Sequence, residues 1–217
     1  MRIEDIDAVI TSLREAYKGF QEPIVTVIAR EKDPYKVLVS TVLSLRTKDA
    51  VTNTASLNLF KIANNIESLR DLDEITIQKA IYPVGFYKTK AKNLKKMAQI
   101  IVDKYNSKIP KEMDDLLSLP NVGRKTANLV LAKGYDIPAI CVDIHVHRIS
   151  NRLGLLKTKN PEETEFKLRE ILPEKYWIEY NDLVVPFGQN ICKPVSPFCT
   201  RCPIYGFCDK VGVDKSR

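Results

Sequence analysis

Two groups of reactive side chains stand out in this sequence: a lysine just after a tight turn, and a cluster of cysteines near the C-terminal end. The turn lies in the segment LLSLPNVGRKTA, residues 116–127, which places Lys125 two residues after Gly123. The cluster has the spacing Cys192-x6-Cys199-x2-Cys202-x5-Cys208. A lysine amine can attack an electrophilic carbon, and four thiolates at short intervals can hold a metal ion or an iron–sulfur cluster.

The turn before Lys125 joins two short helical patterns. Pro120 begins it, and Asn121 and Gly123 are residue types that tolerate positive φ, so the turn can be tight. A helix that begins directly after Gly123 presents unpaired backbone N–H groups, which suit a phosphate oxygen. Helix–turn–helix connections that bind nothing have the same local pattern, so the turn alone leaves both interpretations open.

The cysteine cluster favours a metal site over a disulfide framework, because the chain lacks the features of a secreted protein. Zinc sites more often pair two C-x2-C knuckles, and only one is present here. The spacing therefore favours a [4Fe–4S] cluster but leaves zinc open. Four protein ligands leave no position for a substrate, so the site is expected to be structural. Cys141 stands apart and is expected to be a small buried residue.

The elements around these groups are predicted to be helical. Apolar residues recur at steps of three and four residues almost throughout, and no alternating segment is long enough to build a sheet, so the fold class is all-α. Asp33-Pro34 and Asn160-Pro161 are helix start signals. Thr47 is expected to cap a helix over residues 48–60, and a further helix is expected over residues 86–105.

Composition narrows the class of partner. The chain has 217 residues, 44% hydrophobic and 28% charged, which argues against disorder. Its 34 Lys and Arg against 27 Asp and Glu give a net charge of +7, which favours polyanionic partners, above all nucleic acid. No apolar run is long enough to span a membrane, and the acidic N-terminus does not look like a secretory signal. We therefore expect an intracellular, cytoplasmic and nucleoid-associated monomer.

With these motifs the sequence resembles the helix-hairpin-helix DNA glycosylases, and within them the endonuclease III family. The family's hairpin reads Leu-Pro-Gly-Val-Gly-Arg-Lys-Thr-Ala, and this chain has it with Asn121 in place of the first glycine. The cysteine spacing matches the family's cluster loop, and the likeness extends from the first helix through Cys208. The resemblance implies a [4Fe–4S] cluster on the four cysteines, and DNA contacts by Asn121, Val122 and Gly123.

The resemblance also implies two helical lobes and a double activity. A six-helix lobe with the hairpin would span residues 23–138, and a cluster lobe would combine residues 1–22 with 139–217. Double-stranded DNA would bind between them, where Lys125 faces Asp143 of the segment VDIH. Lys125 would be the nucleophile of a bifunctional base-excision-repair glycosylase/AP lyase that removes oxidised pyrimidines through a Schiff base and β-elimination. Asp143 would act as proton acceptor and as counter-charge for the cationic sugar. Without the resemblance, Lys125 is equally well interpreted as a solvated helix lysine, and Asp143 as the N-cap of the helix that follows it.

Two further segments align with the family's loops that fill the gap left by a flipped nucleotide. By this alignment Arg46 is a polar plug that can hydrogen-bond the orphaned base, and Phe86 is an apolar wedge. The alternatives are a surface charge and a core residue. The family's basic loop between the first two cysteines has only Lys193 here, which weakens the case for a phosphate contact. Four of the lysines that follow Phe86 are predicted to share one helical face that could follow a phosphate backbone, although a solvated face has the same pattern: Lys88, Lys92, Lys95 and Lys96.

Three other functions remain open at this point. A related branch removes thymine or uracil mispaired with guanine, and the changed plug at Arg46 keeps that alternative. A DNA-binding module without enzymatic activity would need the hairpin and the cluster but neither Lys125 nor Asp143. An iron–sulfur electron carrier would not need the hairpin. The branch that acts on adenine usually lacks this lysine and adds a C-terminal domain, so it does not fit.

Overall fold

A computed structural model describes every residue from Met1 to Arg217, and it contains helices and turns but no β-strand. The all-α prediction is therefore confirmed. The chain forms two compact units, which we call the central unit (Ile24–Ile137) and the terminal unit (Met1–Pro23 with Pro138–Arg217).

Twelve α-helices make up the two units. The terminal unit contains α1 (Ile6–Tyr17), α10 (Ile144–Arg152), α11 (Pro161–Ile171) and α12 (Trp177–Asn190). The central unit contains α2 (Ile24–Ala29), α3 (Pro34–Ser44), α4 (Asp49–Ile62), α5 (Ile66–Asp71), α6 (Glu74–Ile81), α7 (Tyr87–Tyr105), α8 (Met113–Leu117) and α9 (Arg124–Leu129), and α9 continues as a π-helical turn, Val130–Gly134.

Helix α3 lies at the centre of the central unit. Most of its side chains are buried, so it is apolar on nearly every side, as a helix surrounded by other helices must be. Its start follows the predicted signal: Pro34 occupies the first turn, and the Asp33 carboxylate accepts hydrogen bonds from the N–H groups of Tyr35 and Lys36. The predicted start at Asn160-Pro161 is likewise confirmed, because Asn160 caps α11.

The predicted cap at Thr47 is wrong. Helix α4 begins at Asp49, and Lys48 occupies the N-cap position without a side-chain cap bond. The Thr47 hydroxyl oxygen instead accepts hydrogen bonds from the Gly85 N–H and from the Lys90 ammonium, both at 3.2 Å. These two donors compete with the helix for the hydroxyl, and they come from residues that sequence proximity does not connect to Thr47.

The terminal unit is built around α12, which packs against α1 and α10. Its core includes Val9, Ile10 and Phe187, all at most 2% exposed. Helices α12 and α10 approach closely at Gly188, where an added Cβ would lie 2.7 Å from Nδ1 of His145. Glycine therefore lets the two helices approach without displacing the side chains of α10 at this point.

The hairpin between α8 and α9 carries Lys125. Asn121 adopts φ of 66°, whereas Gly123 is extended, with φ of −105° and ψ of 177°, and occupies the N-cap position of α9. The Val122 side chain is buried and its N–H donates to the Leu119 carbonyl at 3.2 Å. Of the two residues expected to tolerate positive φ, Asn121 alone uses it, and Val122 anchors the turn in the core.

We predict that Asn121→Gly leaves the free energy of unfolding within roughly 0.5 kcal/mol of the parent, whereas Asn121→Ala lowers it by about 1 kcal/mol, because alanine is strained at positive φ. Urea unfolding of both variants measures the difference. Gly123→Ala is the control: its φ suits alanine and no atom lies within 4 Å of the added Cβ. Equal stability of the Asn121 variants would contradict this backbone assignment.

Candidate functional site

Three of the predicted DNA-contacting residues come together in the central unit. Arg46, Phe86 and Asn121 line one pocket, together with Leu45, Thr89 and Lys90. The Arg46 guanidinium carbon lies 4.7 Å from the centre of the Phe86 ring, so the predicted plug and wedge are in cation–π contact. They are 40 residues apart in the sequence.

The backbone at both positions is unusual. Arg46 and Phe86 adopt positive φ, 55° and 59°, which costs energy for a residue with a bulky side chain. Phe86 is 59% exposed, so the alternative that it is a core residue does not hold. The helix that was predicted to begin at residue 86 begins at Tyr87, because Phe86 is left-handed. Strained backbone at an exposed aromatic residue outside the core favours a role in binding.

Lys125 is the second residue of α9, immediately after the hairpin turn. Its side chain is exposed, whereas the following Thr126 and Ala127 are buried and fix the helix to the unit. No side chain caps the start of α9, and no atom lies within 4 Å of a Cβ built on Gly123. The hairpin therefore combines an exposed amine with a helix start that a phosphate oxygen can approach.

Asp143 is the N-cap of α10 in the terminal unit. Its Oδ1 accepts hydrogen bonds from the N–H groups of His145 at 2.8 Å and Val146 at 2.9 Å. The side chain is half-buried, and both cap bonds use the same oxygen. The carboxylate is thus fixed in orientation by the helix, while Oδ2 is not used by the cap.

The four clustered cysteines line a single cavity in the terminal unit, among apolar side chains that include Ile149, Phe187 and Ile204. Burial, with a smaller contribution from the three other thiols, raises the pKa of Cys202 to about 11. Burial likewise raises the pKa of Cys208. No three His, Cys, Asp or Glu side chains converge as ligands of one metal ion would. Cys141 is buried, at 2% exposed, and lies outside this cavity.

Arginines from α10 fix the chain at the first cysteine. Arg148 donates to the carbonyl oxygens of Gly188 and Cys192, and Arg152 donates to the Lys193 carbonyl at 2.6 Å and approaches Cys192 Sγ at 3.6 Å. Burial lowers the pKa of Arg148, and the neighbouring Cys192 opposes that shift. Neither arginine was expected at the cluster, because both lie about 40 residues before it in sequence.

The loop between Cys192 and Cys199 is more basic than its own sequence indicates. The ring of Phe198 has the Arg201 guanidinium 4.0 Å from its centre, that of Arg217 at 4.2 Å and the Lys193 ammonium at 5.2 Å. Two of these cations come from beyond the loop, so counting charges within residues 193–198 misses them.

The four lysines predicted to share one exposed face of α7 differ in their surroundings. Lys88, Lys92 and Lys96 are exposed, but the Lys95 ammonium donates to the carbonyl oxygens of Arg70 and Leu72, at 2.9 and 2.5 Å. The prediction that Lys95 belongs to a DNA-facing row is therefore wrong, because it binds the end of α5. Lys90 lies on the same helix and is 3% exposed.

No helix in the structure has both the length and the apolar character that crossing a membrane requires.

Known proteins resemble this chain in sequence and in structure. The pattern of the HhH-GPD superfamily base excision DNA repair proteins matches residues 39–174. An endonuclease III from Thermotoga maritima is 45% identical over 180 residues, which cover 83% of this chain and 84% of that protein.

Two solved structures match as well. A non-covalent endonuclease III–DNA complex has a TM-score of 0.85 and 30% identity, covering 97% of this chain and 96% of the matched one. A trapped endonuclease III–DNA covalent intermediate has a TM-score of 0.77 and 35% identity, covering 82% and 84%. Since the superfamily pattern spans more than half of the chain and the Thermotoga maritima relative matches most of both sequences, this chain belongs to the endonuclease III family of base excision DNA repair enzymes.

Proposed function

We propose that this enzyme binds double-stranded DNA with a damaged base or an abasic site, excises oxidised pyrimidines, and cleaves the abasic strand. One observation carries the proposal: Arg46, Phe86 and Asn121 line one pocket of the unit that presents Lys125 after the hairpin. We further propose that it acts as a monomer on DNA inside the cell.

Lys125 is the nucleophile in this proposal. Its neutral Nζ forms a bond to C1′ of the deoxyribose while the bond to the base breaks, and the base leaves with the electron pair and takes up a proton. A proton then passes from the nitrogen to O4′ as the C1′–O4′ bond of the sugar ring breaks, which leaves a protonated Schiff base. Removal of a 2′ proton then expels the 3′ phosphate by β-elimination, and water releases the lysine.

Asp143 accepts a proton in this chemistry and balances the positive charge that develops on the sugar. The cap bonds to Oδ1 support this role, because they orient the carboxylate before the substrate arrives and leave Oδ2 for the reaction. A carboxylate held by the helix loses little conformational freedom on binding substrate.

The hairpin and the pocket hold the DNA in this proposal. Asn121 and Gly123 approach a phosphate at the start of α9, with Val122 fixing the turn from the core. Arg46 hydrogen-bonds the orphaned base, and Phe86 enters the stack. An arginine plug also suits guanine, which keeps G·T and G·U mispairs as the second substrate class. Comparing excision of thymine glycol with excision of those mispaired bases decides between them.

The cavity with the four cysteines fits a [4Fe–4S] cluster. All four cysteines line this cavity among apolar side chains, and such a cluster takes four thiolates. Cys192, Cys199, Cys202 and Cys208 would hold the cluster, which would tie the C-terminal segment together just after α12. The cations around Phe198 then face outward from a fixed loop, and we propose that they contact phosphate.

We predict that borohydride reduction traps a covalent adduct between the protein and a duplex with one abasic site, and that Lys125→Ala abolishes the adduct while the duplex still binds. A gel of labelled DNA measures it. Lys108→Ala, which removes another exposed lysine of the central unit, is the control and keeps the adduct. An adduct that persists in Lys125→Ala would show that the nucleophile is a different residue.

We predict that Asp143→Asn slows base excision by roughly 10²–10⁴-fold but changes the free energy of unfolding by less than about 0.5 kcal/mol, because asparagine caps a helix as well as aspartate does. Single-turnover kinetics and urea unfolding measure the two effects. Asp143→Ala also removes the cap, and unfolds more easily by about 1 kcal/mol. Excision at the parent rate in Asp143→Asn would rule out a role for the carboxylate charge.

We predict that protein purified without oxygen contains iron and absorbs broadly in the visible range, and that Cys202→Ala loses the iron and unfolds at a lower temperature. Metal analysis and thermal unfolding measure both. Cys141→Ala is the matched control, since Cys141 lies outside the cavity, and it retains the iron. A colourless protein that contains zinc would overturn the cluster assignment.

A further inference from the structure

Lys90 is a charged residue in a position where an apolar one would be expected. It is 3% exposed, and it lies on α7 one turn after Phe86, whose carbonyl accepts its backbone N–H at 2.9 Å. The Lys90 ammonium donates to three oxygens, the carbonyls of Leu43 and Leu45 at 2.8 and 2.5 Å and the Thr47 hydroxyl at 3.2 Å. An ammonium has three N–H donors, so these acceptors use all of them.

All three acceptors belong to the segment that carries Arg46. Leu43 lies in the last turn of α3, and Leu45 and Thr47 are the immediate neighbours of Arg46 in the chain. Burying a lysine has a cost, and burial lowers the pKa of Lys90 to about 8. Carbonyl oxygens offset that cost because they stabilise the charged form.

A second link joins the same two segments. The Gly85 N–H donates to the Thr47 hydroxyl oxygen at 3.2 Å, and a Cβ on Gly85 would lie 2.6 Å from the Arg46 carbonyl oxygen. The backbone immediately before Phe86 therefore touches the backbone of Arg46, and no other residue type fits at Gly85 without a shift. Thr47 accepts from Gly85 and from Lys90, so one hydroxyl connects both links.

Pairing the carbonyl groups at the end of a helix does not by itself explain the hydrogen bonds of Lys90. Lys95, five residues later on α7, donates to two carbonyls at the end of α5 and forms no link to either Arg46 or Phe86. Lys90 makes the same kind of bond, but it ties together the backbones of two residues in positive φ whose side chains contact each other.

We propose that Lys90 is a positioning residue that holds the Arg46 segment and the start of α7 as one body, so that plug and wedge enter the DNA gap together. This inference rests on the proposed function, which assigns the gap to Arg46 and Phe86. A pair fixed before binding loses less conformational entropy when it fills the gap. Its effect is expected on recognition of the gap and not on binding to intact duplex.

The test compares Lys90→Met with Lys95→Met, each of which removes from α7 one ammonium that donates to backbone carbonyls. The probes are a duplex with a tetrahydrofuran abasic analogue and the same duplex undamaged. We expect Lys90→Met to bind the abasic duplex about tenfold more weakly than the parent does, because a preorganised contact is lost. The same variant binds the undamaged duplex as tightly as the parent does. Lys95→Met binds both as the parent does, although it also removes backbone hydrogen bonds.

A double-mutant cycle gives a readout that loss of stability alone does not move. In the parent, the effects of Arg46→Ala and Phe86→Ala on abasic-duplex binding are non-additive, because the two side chains act together; in the Lys90→Met background they become additive. Should Lys90→Met not fold, Thr47→Val and Thr47→Ser take its place. Valine removes the shared hydroxyl and weakens abasic binding, and serine restores it.

Parent-like abasic binding and unchanged coupling in Lys90→Met, or equal behaviour of Thr47→Val and Thr47→Ser, would overturn the inference alone, with borohydride trapping at Lys125 intact. A parent protein that does not prefer the abasic duplex would overturn the proposed use of Arg46 and Phe86, and this inference with it.

Discussion

Unpaired backbone groups at helix ends are the constraint on which this molecule depends. Twelve short helices have many ends, and each end leaves N–H or C=O groups that the helix itself cannot pair. Asp33 and Asn160 satisfy helix starts, and Lys95 satisfies a helix end. The residues proposed to act on DNA stand at the same kind of place. Asp143 caps α10, while the start of α9 beside Lys125 has no side-chain cap. The start of α10 is capped, and the cap orients the Asp143 carboxylate. The start of α9 can accept an oxygen atom of a ligand.

Features that depend on neighbours in sequence were predicted correctly. The caps at Asp33, Asn160 and Asp143 need only residues two or three positions away, and the tight turn at Asn121 needs only a residue that accepts positive φ. Helical periodicity fixed the fold class for the same reason. The family resemblance predicted that Arg46 and Phe86 act at the same place on the DNA, although 40 residues separate them in the sequence. In the structure their side chains are in contact.

Features that depend on distant partners were missed or misjudged. Thr47 has the right type for a cap, but donors from Gly85 and Lys90, about 40 residues on, take its hydroxyl. Lys90 and Lys95 look like solvated lysines in sequence because nothing near them reveals the carbonyls that they bind. The charge of the cysteine loop was underestimated in the same way, since Arg201 and Arg217 reach Phe198 from outside it. Tertiary hydrogen bonds of this kind leave no periodic trace.

The strained backbone at Arg46 and Phe86 persists because hydrogen bonds and a close backbone contact hold it in place. Each positive φ costs about 1 kcal/mol or more, and the buried Lys90 ammonium adds a desolvation cost. A surface loop would relax to avoid such costs. Here the three bonds of Lys90 and the contact between Gly85 and Arg46 hold the loop in the strained form before any ligand is present. In the role proposed for Phe86, a side chain that is held in place before binding loses less conformational entropy when it enters the base stack.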